Sequence, residues 1–187
     1  MKFTPLIKQL NWVDIFILIL IIRITYIGIK RGLVTELFKI LGTILSIFLS
    51  MHYYPKLGNF IHERSPLPLG FADFISFLAL VIMGHLFFLM LRTTFLLLVR
   101  IEPQNILNKW GGLILGILRG LLAVSLFISI LCLSTIKYFE KSAKRSFSSN
   151  YLSKIAPKTY EFLFDNLFIK FSPKERLNEE IFNKVLQ

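Results

Sequence analysis

Gly28-Ile29-Lys30-Arg31-Gly32-Leu33 closes one long apolar segment and opens the next, and Gly116-Ile117-Leu118-Arg119-Gly120-Leu121 repeats it inside a later one. Both copies read Gly-x-x-Arg-Gly-Leu. Glycines four apart fall on one helix face, where they let a second backbone come close in lipid. The arginine between them points elsewhere and is costly in hydrocarbon unless it reaches a headgroup, a partner or water. Each copy thus joins a packing device to a charge that needs an address. The second copy extends upstream to Gly112, so that Gly112, Gly116 and Gly120 recur every fourth residue on one predicted helix face.

The composition around these motifs fits a bilayer. Of 187 residues, 55% are hydrophobic, 18% are charged and 19 are Phe. Soluble domains carry about 25% charged residues, so the chain lacks polar surface to meet water. Lys and Arg number 22 against 11 acids, a formal charge of +11. In a membrane protein such an excess marks cytoplasmic faces and anionic headgroups. The basic residues are scattered among apolar ones with no nucleic-acid-binding motif, and nucleic acid is not an expected partner. The single cysteine, Cys132, excludes an internal disulfide. His52, His62 and His85 lie far apart without an i,i+4 pair, which argues against a metal site.

The apolar runs predict an all-α membrane domain over residues 1–136 with four helices, near 12–30, 33–53, 71–92 and 112–136. Trp12 is the interfacial anchor of the first. Asp14, Ile21, Thr25, Gly28 and Gly32 form one stripe expected to face other helices, with Arg23 on the opposite side as an intramembrane charge that either snorkels or serves a function. Only a tight turn fits between Gly32 and Glu36, which predicts an antiparallel hairpin. On the second helix Glu36, Thr43, Ser50 and Tyr54 form a polar stripe flanked by Lys39 and Ser46. Glu36 is expected to pair with Arg31 or Lys39 near the interface. His85 and Arg92 share a face of the third helix, as a buried neutral imidazole or a proton-linked site. The run 93–99 either extends that helix or lies in the interface. Arg119 is expected about 9 Å inside the fourth helix, within reach of a headgroup or a partner.

Residues 54–70 are dense in turn formers and predict a loop. Residues 137–187 read as a basic, amphipathic tail. It comprises the cationic run Lys137–Arg145, a flexible connection over 146–150, and a surface helix over 151–171 broken near Pro157. Ser172-Pro173-Lys174-Glu175 then reads as a capping box opening a last short helix.

The motifs in this order resemble the colicin V production protein (CvpA-like) family of bacterial inner-membrane proteins. The likeness rests on Trp12-Val13-Asp14, on Gly28-x-x-Arg31-Gly32 with Glu36 four residues later, and on the run from Leu107 through Gly112 and Gly116 to Arg119-Gly120. A weaker echo runs from Ser149-x-x-Leu152 to Ala156-Pro157. The family pattern carries Asp-Arg where this chain has Asn108-Lys109. The resemblance implies about four membrane helices and a role in toxin (colicin V) production or export and in envelope homeostasis. Expected partners are the lipid bilayer and either further copies of the chain or secretion and envelope membrane proteins.

The residues also bear on two other function classes. A small oligomeric transporter or channel subunit would use the polar stripe of the second helix as its path. An enzyme would need a nucleophile–base pair, convergent acids or a phosphate loop, and the chain offers none of these, nor a cofactor motif. An even number of spans puts both termini on one side. The basic run at Lys137–Arg145 makes that side the cytoplasm.

Overall fold

The computed structural model describes residues 11–98 and 106–186 and is all-helical over them, with three helices apolar and long enough to cross a membrane. These are α1 (Trp12–Arg64), α2 (Leu69–Leu98) and α3 (Ile106–Leu133). Five shorter pieces follow: α4 (Lys137–Arg145), α5 (Phe147–Leu152), α6 (Ile155–Leu163), α7 (Ile169–Phe171) and α8 (Glu180–Leu186), with a π-helical turn over Phe164–Phe168 between α6 and α7.

α1 starts where the sequence offers a cap. The Asn11 side chain accepts from Trp12 N at 2.7 Å, and Asn11 N donates back to Asp14 Oδ2 at 2.9 Å. Straight, 53 residues would run about 80 Å, far beyond a hydrocarbon core of about 30 Å. The helix is broken at Gly32, whose φ of 78° and ψ of 174° belong to a region that only glycine occupies readily.

Contacts on either side of Gly32 show the chain reversing there. In the first limb (12–31), Gly28, Thr25 and Ile21 meet Gly112, Gly116 and Gly120 in turn, so this limb runs antiparallel to α3. In the second limb (33–64), Leu33 lies on Gly111, Glu36 meets Arg119, and Ile47 and Met51 share a core with Leu126 and Leu133. The second limb therefore runs parallel to α3. α2 lies antiparallel along it through Phe38–Phe95, Gly42–Phe88, Ser46–Gly84 and Tyr54–Phe77.

Several expected boundaries are corrected. Residues 54–64 are helical, not loop, and only 65–68 separate α1 from α2. Pro55 lacks the N–H that would bond to Met51 O, and Asn178 Nδ2 supplies that carbonyl instead, at 2.7 Å. The run from Thr93 continues α2 as far as Leu98; Val99 lies outside the described residues, as do Lys2 and Lys8. α3 begins six residues before Gly112 and ends at Leu133, three short of the expected end.

The tail differs most. The expected flexible connection is α5, capped by Ser146, whose hydroxyl accepts from Ser149 N at 3.2 Å. The segment near Pro157 is interrupted at Ser153–Lys154, a turn earlier than the proline. Pro157 cannot donate to Ser153 O, and Ser125 Oγ bonds that carbonyl at 3.1 Å while accepting from Ala156 N at 2.7 Å. Far from lying on a surface, Ala156, Tyr160 and Phe164 are buried in the core with Met51, Tyr54 and Phe77. The Ser172 capping box does not form. Only a turn occurs there, the next helix waits until Glu180, and Glu175 binds Lys56 instead.

Candidate functional site

The two Gly-x-x-Arg-Gly motifs cross one another. A methyl built on Gly28 would lie 2.5 Å from the Gly112 carbonyl oxygen and 3.0 Å from Gly116 Cα. One on Gly116 would meet Gly28 Cα at 3.3 Å and Thr25 Cα at 3.4 Å. Backbone lies against backbone, the contact that small residues permit in lipid. Gly120 is looser, with Ile21 Cα at 3.8 Å. Above the crossing, Asn108 Oδ1 accepts from Leu33 N at 2.6 Å, satisfying the first amide after the reversal. Here Asn108 does what a carboxylate could also do.

The arginine of the second motif finds its address on the chain segment that follows the first. Arg119 Nε donates to Glu36 Oε2 at 2.7 Å, across 83 residues of sequence, and Lys39 Nζ reaches the other carboxylate oxygen. Glu36 is completely buried and Arg119 nearly so. Of the two partners expected for Glu36, Lys39 is present and Arg31 is not, and Arg119 takes the second place. Arg119 itself lies thirteen residues inside α3, because that helix starts at Ile106.

Arg31 and Arg23 instead line a cleft of about 340 Å³ together with Lys39 and Arg119. A second chamber of about 130 Å³ shares Arg31, Lys39 and Arg119 and adds His85 and Arg92. The serine and threonine hydroxyls of the remaining stripe are bonded to backbone carbonyls. Thr43 Oγ1 donates to Lys39 O, Ser46 Oγ to Gly42 O and Val81 O, and Ser50 Oγ to Ile47 O, all within 3.3 Å. Tyr54 is buried against Phe77.

Asp14 lies at the opposite end of the bundle. Its Oδ1 accepts from Ser146 Oγ at 2.7 Å and from Ser148 N at 2.9 Å, and Asn11 Nδ2 donates to Ser142 O at 2.8 Å. The stripe position expected to face other membrane helices thus fastens the start of α1 to the α4–α5 junction. A second polar cluster holds the end of the tail. Tyr160 Oη accepts from Asn178 N at 3.0 Å and shares a hydrogen bond with His52 Nδ1 at 2.9 Å. Burial pushes the Tyr160 phenol up to about 12, so it stays protonated. Lys56 hydrogen bonds hold the Glu175 carboxyl below its ordinary range.

Sequence reasoning missed Gly42 and Gly84. Gly84 sits where a methyl would come within 2.8 Å of Ser46 Cα, and Gly42 where it would come within 2.9 Å of Phe88 Cβ. Neither belongs to a periodic series, which is the signal that exposed the α3 face. Among the described residues no group of three His, Cys, Asp or Glu could hold a metal ion.

Three long apolar helices, one of them reversing at a glycine, and buried charges that pair across them define a multi-pass α-helical membrane protein. The chain belongs to the colicin V production protein family, whose model matches residues 13–157, from the first turn of α1 to Pro157 in α6. It is thus a membrane-embedded protein of the bacterial inner membrane, and both motif copies, Glu36 and Asn108 lie inside the matched region. No curated protein and no solved structure matches the chain significantly.

Proposed function

We propose that the protein serves colicin V production or export and envelope homeostasis as a non-catalytic membrane component. It would cross the bilayer four times, the two limbs of α1 each counting as one span, with both termini in the cytoplasm. The observation that carries this reading is the use of intramembrane polar groups for holding helices together. Glu36 is shared by Arg119 and Lys39, and the hydroxyls of Thr43, Ser46 and Ser50 are bonded to backbone carbonyls. That these groups are engaged within the bundle supports the structural reading over a polar path along the second limb.

On this reading residues 1–136 form the membrane domain and residues 137–187 a cytoplasmic tail bound to its inner end. Copies of the chain, or membrane proteins of the secretion and envelope machinery, are its partners in the bilayer. The test is complementation of a strain lacking the gene, scored for colicin V secretion and envelope-stress resistance, with membrane levels measured in parallel. A periplasm-active reporter fused after Gln187 should stay silent. Secretion and stress resistance both unaffected by loss of the gene would refute the role, and an active reporter would reverse the orientation.

A further inference from the structure

We propose that the cation-lined cleft beside the motif crossing binds the phosphate headgroup of an anionic phospholipid that enters sideways from the bilayer. The cleft has two kinds of wall. Arg23, Arg31, Lys39 and Arg119 supply four cations, while Phe16, Ile19 and Ile24 supply an apolar side. Phe16 and Ile19 are exposed on the flank of the first limb, so the apolar side is continuous with the lipid-facing surface.

Among the described residues the charges around the cleft do not balance. Glu36 is already shared by Lys39 and Arg119, and neither Arg23 nor Arg31 makes an ion pair with a described acid. The adjoining chamber adds His85 and Arg92, and Arg92 Nε is buried there without a hydrogen-bond partner among the described residues. Buried donors are rarely left unbonded, and unpaired arginines at membrane depth are expensive. A phosphate answers both demands, since guanidinium groups bind it bidentately. A free phosphate ion would meet the cations but leave the apolar wall empty. A phospholipid fills both, its headgroup at the arginines and an acyl chain along Phe16 and Ile19.

The inference stands apart from the cellular role, because it concerns binding by the purified chain. The full-length protein is delipidated in detergent and titrated with short-chain phosphatidylglycerol, with phosphatidylcholine, or with inorganic phosphate, and bound lipid is followed by native mass spectrometry. Phosphatidylglycerol should bind at least roughly tenfold more tightly than phosphatidylcholine, as two or more basic groups near a headgroup imply. The Arg23→Gln/Arg31→Gln double variant should lose that preference, and Arg23→Lys/Arg31→Lys, which keeps the charge but not the bidentate fork, should keep only part of it. Ile19→Trp, which obstructs the cleft without touching a charge, should weaken phosphatidylglycerol as well, and it serves if the double glutamine variant does not fold. Lys137→Gln/Lys141→Gln, in the tail, should leave binding unchanged. An undiminished preference in both Ile19→Trp and the glutamine variant overturns the proposal. So does equal loss in the tail variant, which would mean diffuse surface charge, or inorganic phosphate binding as tightly as the lipid.

Discussion

Replacing Glu36 with glutamine removes the one carboxylate that Arg119 and Lys39 share. The Glu36 side chain is fully buried, and those of Lys39 and Arg119 are only 10% and 11% exposed. The substitution therefore leaves two desolvated cations side by side. Removing one partner of a buried ion pair costs about 3–5 kcal/mol. We expect the lower end, about 3 kcal/mol, because both cations border the cleft, where water or a headgroup can reach them. That is roughly a hundredfold in the folded-to-unfolded ratio. Unfolding by sodium dodecyl sulfate in mixed micelles, followed by circular dichroism, measures it for Glu36→Gln, Arg119→Gln and the double variant. Arg119→Gln should cost less than Glu36→Gln, since Glu36 keeps Lys39. The double variant should fall well short of the sum. Additivity within about 0.5 kcal/mol would refute the pairing, and an unchanged Glu36→Gln would show that the carboxylate does not hold the two cations.

Gly32→Ala forces a side chain into a glycine-only conformation and onto Asn108, whose Nδ2 would lie 2.6 Å from the new methyl; about 1–3 kcal/mol and a lower melting temperature are expected. Asn108→Asp should be tolerated because it keeps the acceptor for Leu33 N. Gly116→Leu should abolish membrane accumulation, whereas Leu113→Ile, off the crossing, should leave levels unchanged on immunoblots of membrane fractions. Asn178→Ala should cost about 1–3 kcal/mol by orphaning Met51 O below Pro55, and should expose the tail to proteolysis. The Lys56–Glu175 contact is pH-dependent with a definite sign. Because Lys56 lowers the Glu175 carboxyl, the stabilisation is complete above the ordinary carboxylate range and drains away as pH falls through the lowered value. Lys56→Gln should flatten that acid limb in a melting-temperature series.

Much of the membrane part could be read from local signals. Apolar runs, Trp12 at the first boundary and glycines at intervals of four all lie within a few turns of sequence, and so did the reversal near Gly32. What escaped depends on partners far along the chain. Residues 54–64 carry Pro55, Gly58 and Asn59 and look like a loop, yet they stay helical because Asn178, 127 residues from Met51, bonds the carbonyl that Pro55 leaves free. Ser125 does the same for the carbonyl four residues before Pro157. The Ser172–Glu175 pattern has every local feature of a helix start, but the Glu175 carboxylate is taken by Lys56, 119 residues away in sequence. A composition-based reading has no access to these exchanges. The tail was accordingly expected on the surface, while its Tyr160 and Phe164 complete the core beneath the second limb.

The repeated motif also means something different in space from what it suggests in sequence. Two copies of Gly-x-x-Arg-Gly on separate helices could have packed as equals, with each arginine serving the same purpose. The crossing is instead asymmetric, because the first copy contains the reversal and the second lies within one helix. Gly28 and Gly112 are held backbone to backbone, and Gly32 serves the turn as well as the contact. Arg119 points inward, where Glu36, the fourth residue after the reversal, arrives to meet it. No acid follows Gly120 at the matching distance, since position 124 is Val. Arg31 has no corresponding carboxylate and is left facing the cleft. One arginine therefore locks the crossing while the other stays available to a ligand. Exchanging the acid between the two places, Glu36→Val with Val124→Glu, should not restore stability: Val124 is buried against Val13 and Ile17 in the core of the first limb, about two turns along α3 from the crossing at Gly116. If that exchange variant unfolds at the same detergent concentration as the native chain, the asymmetry argued from the geometry is wrong.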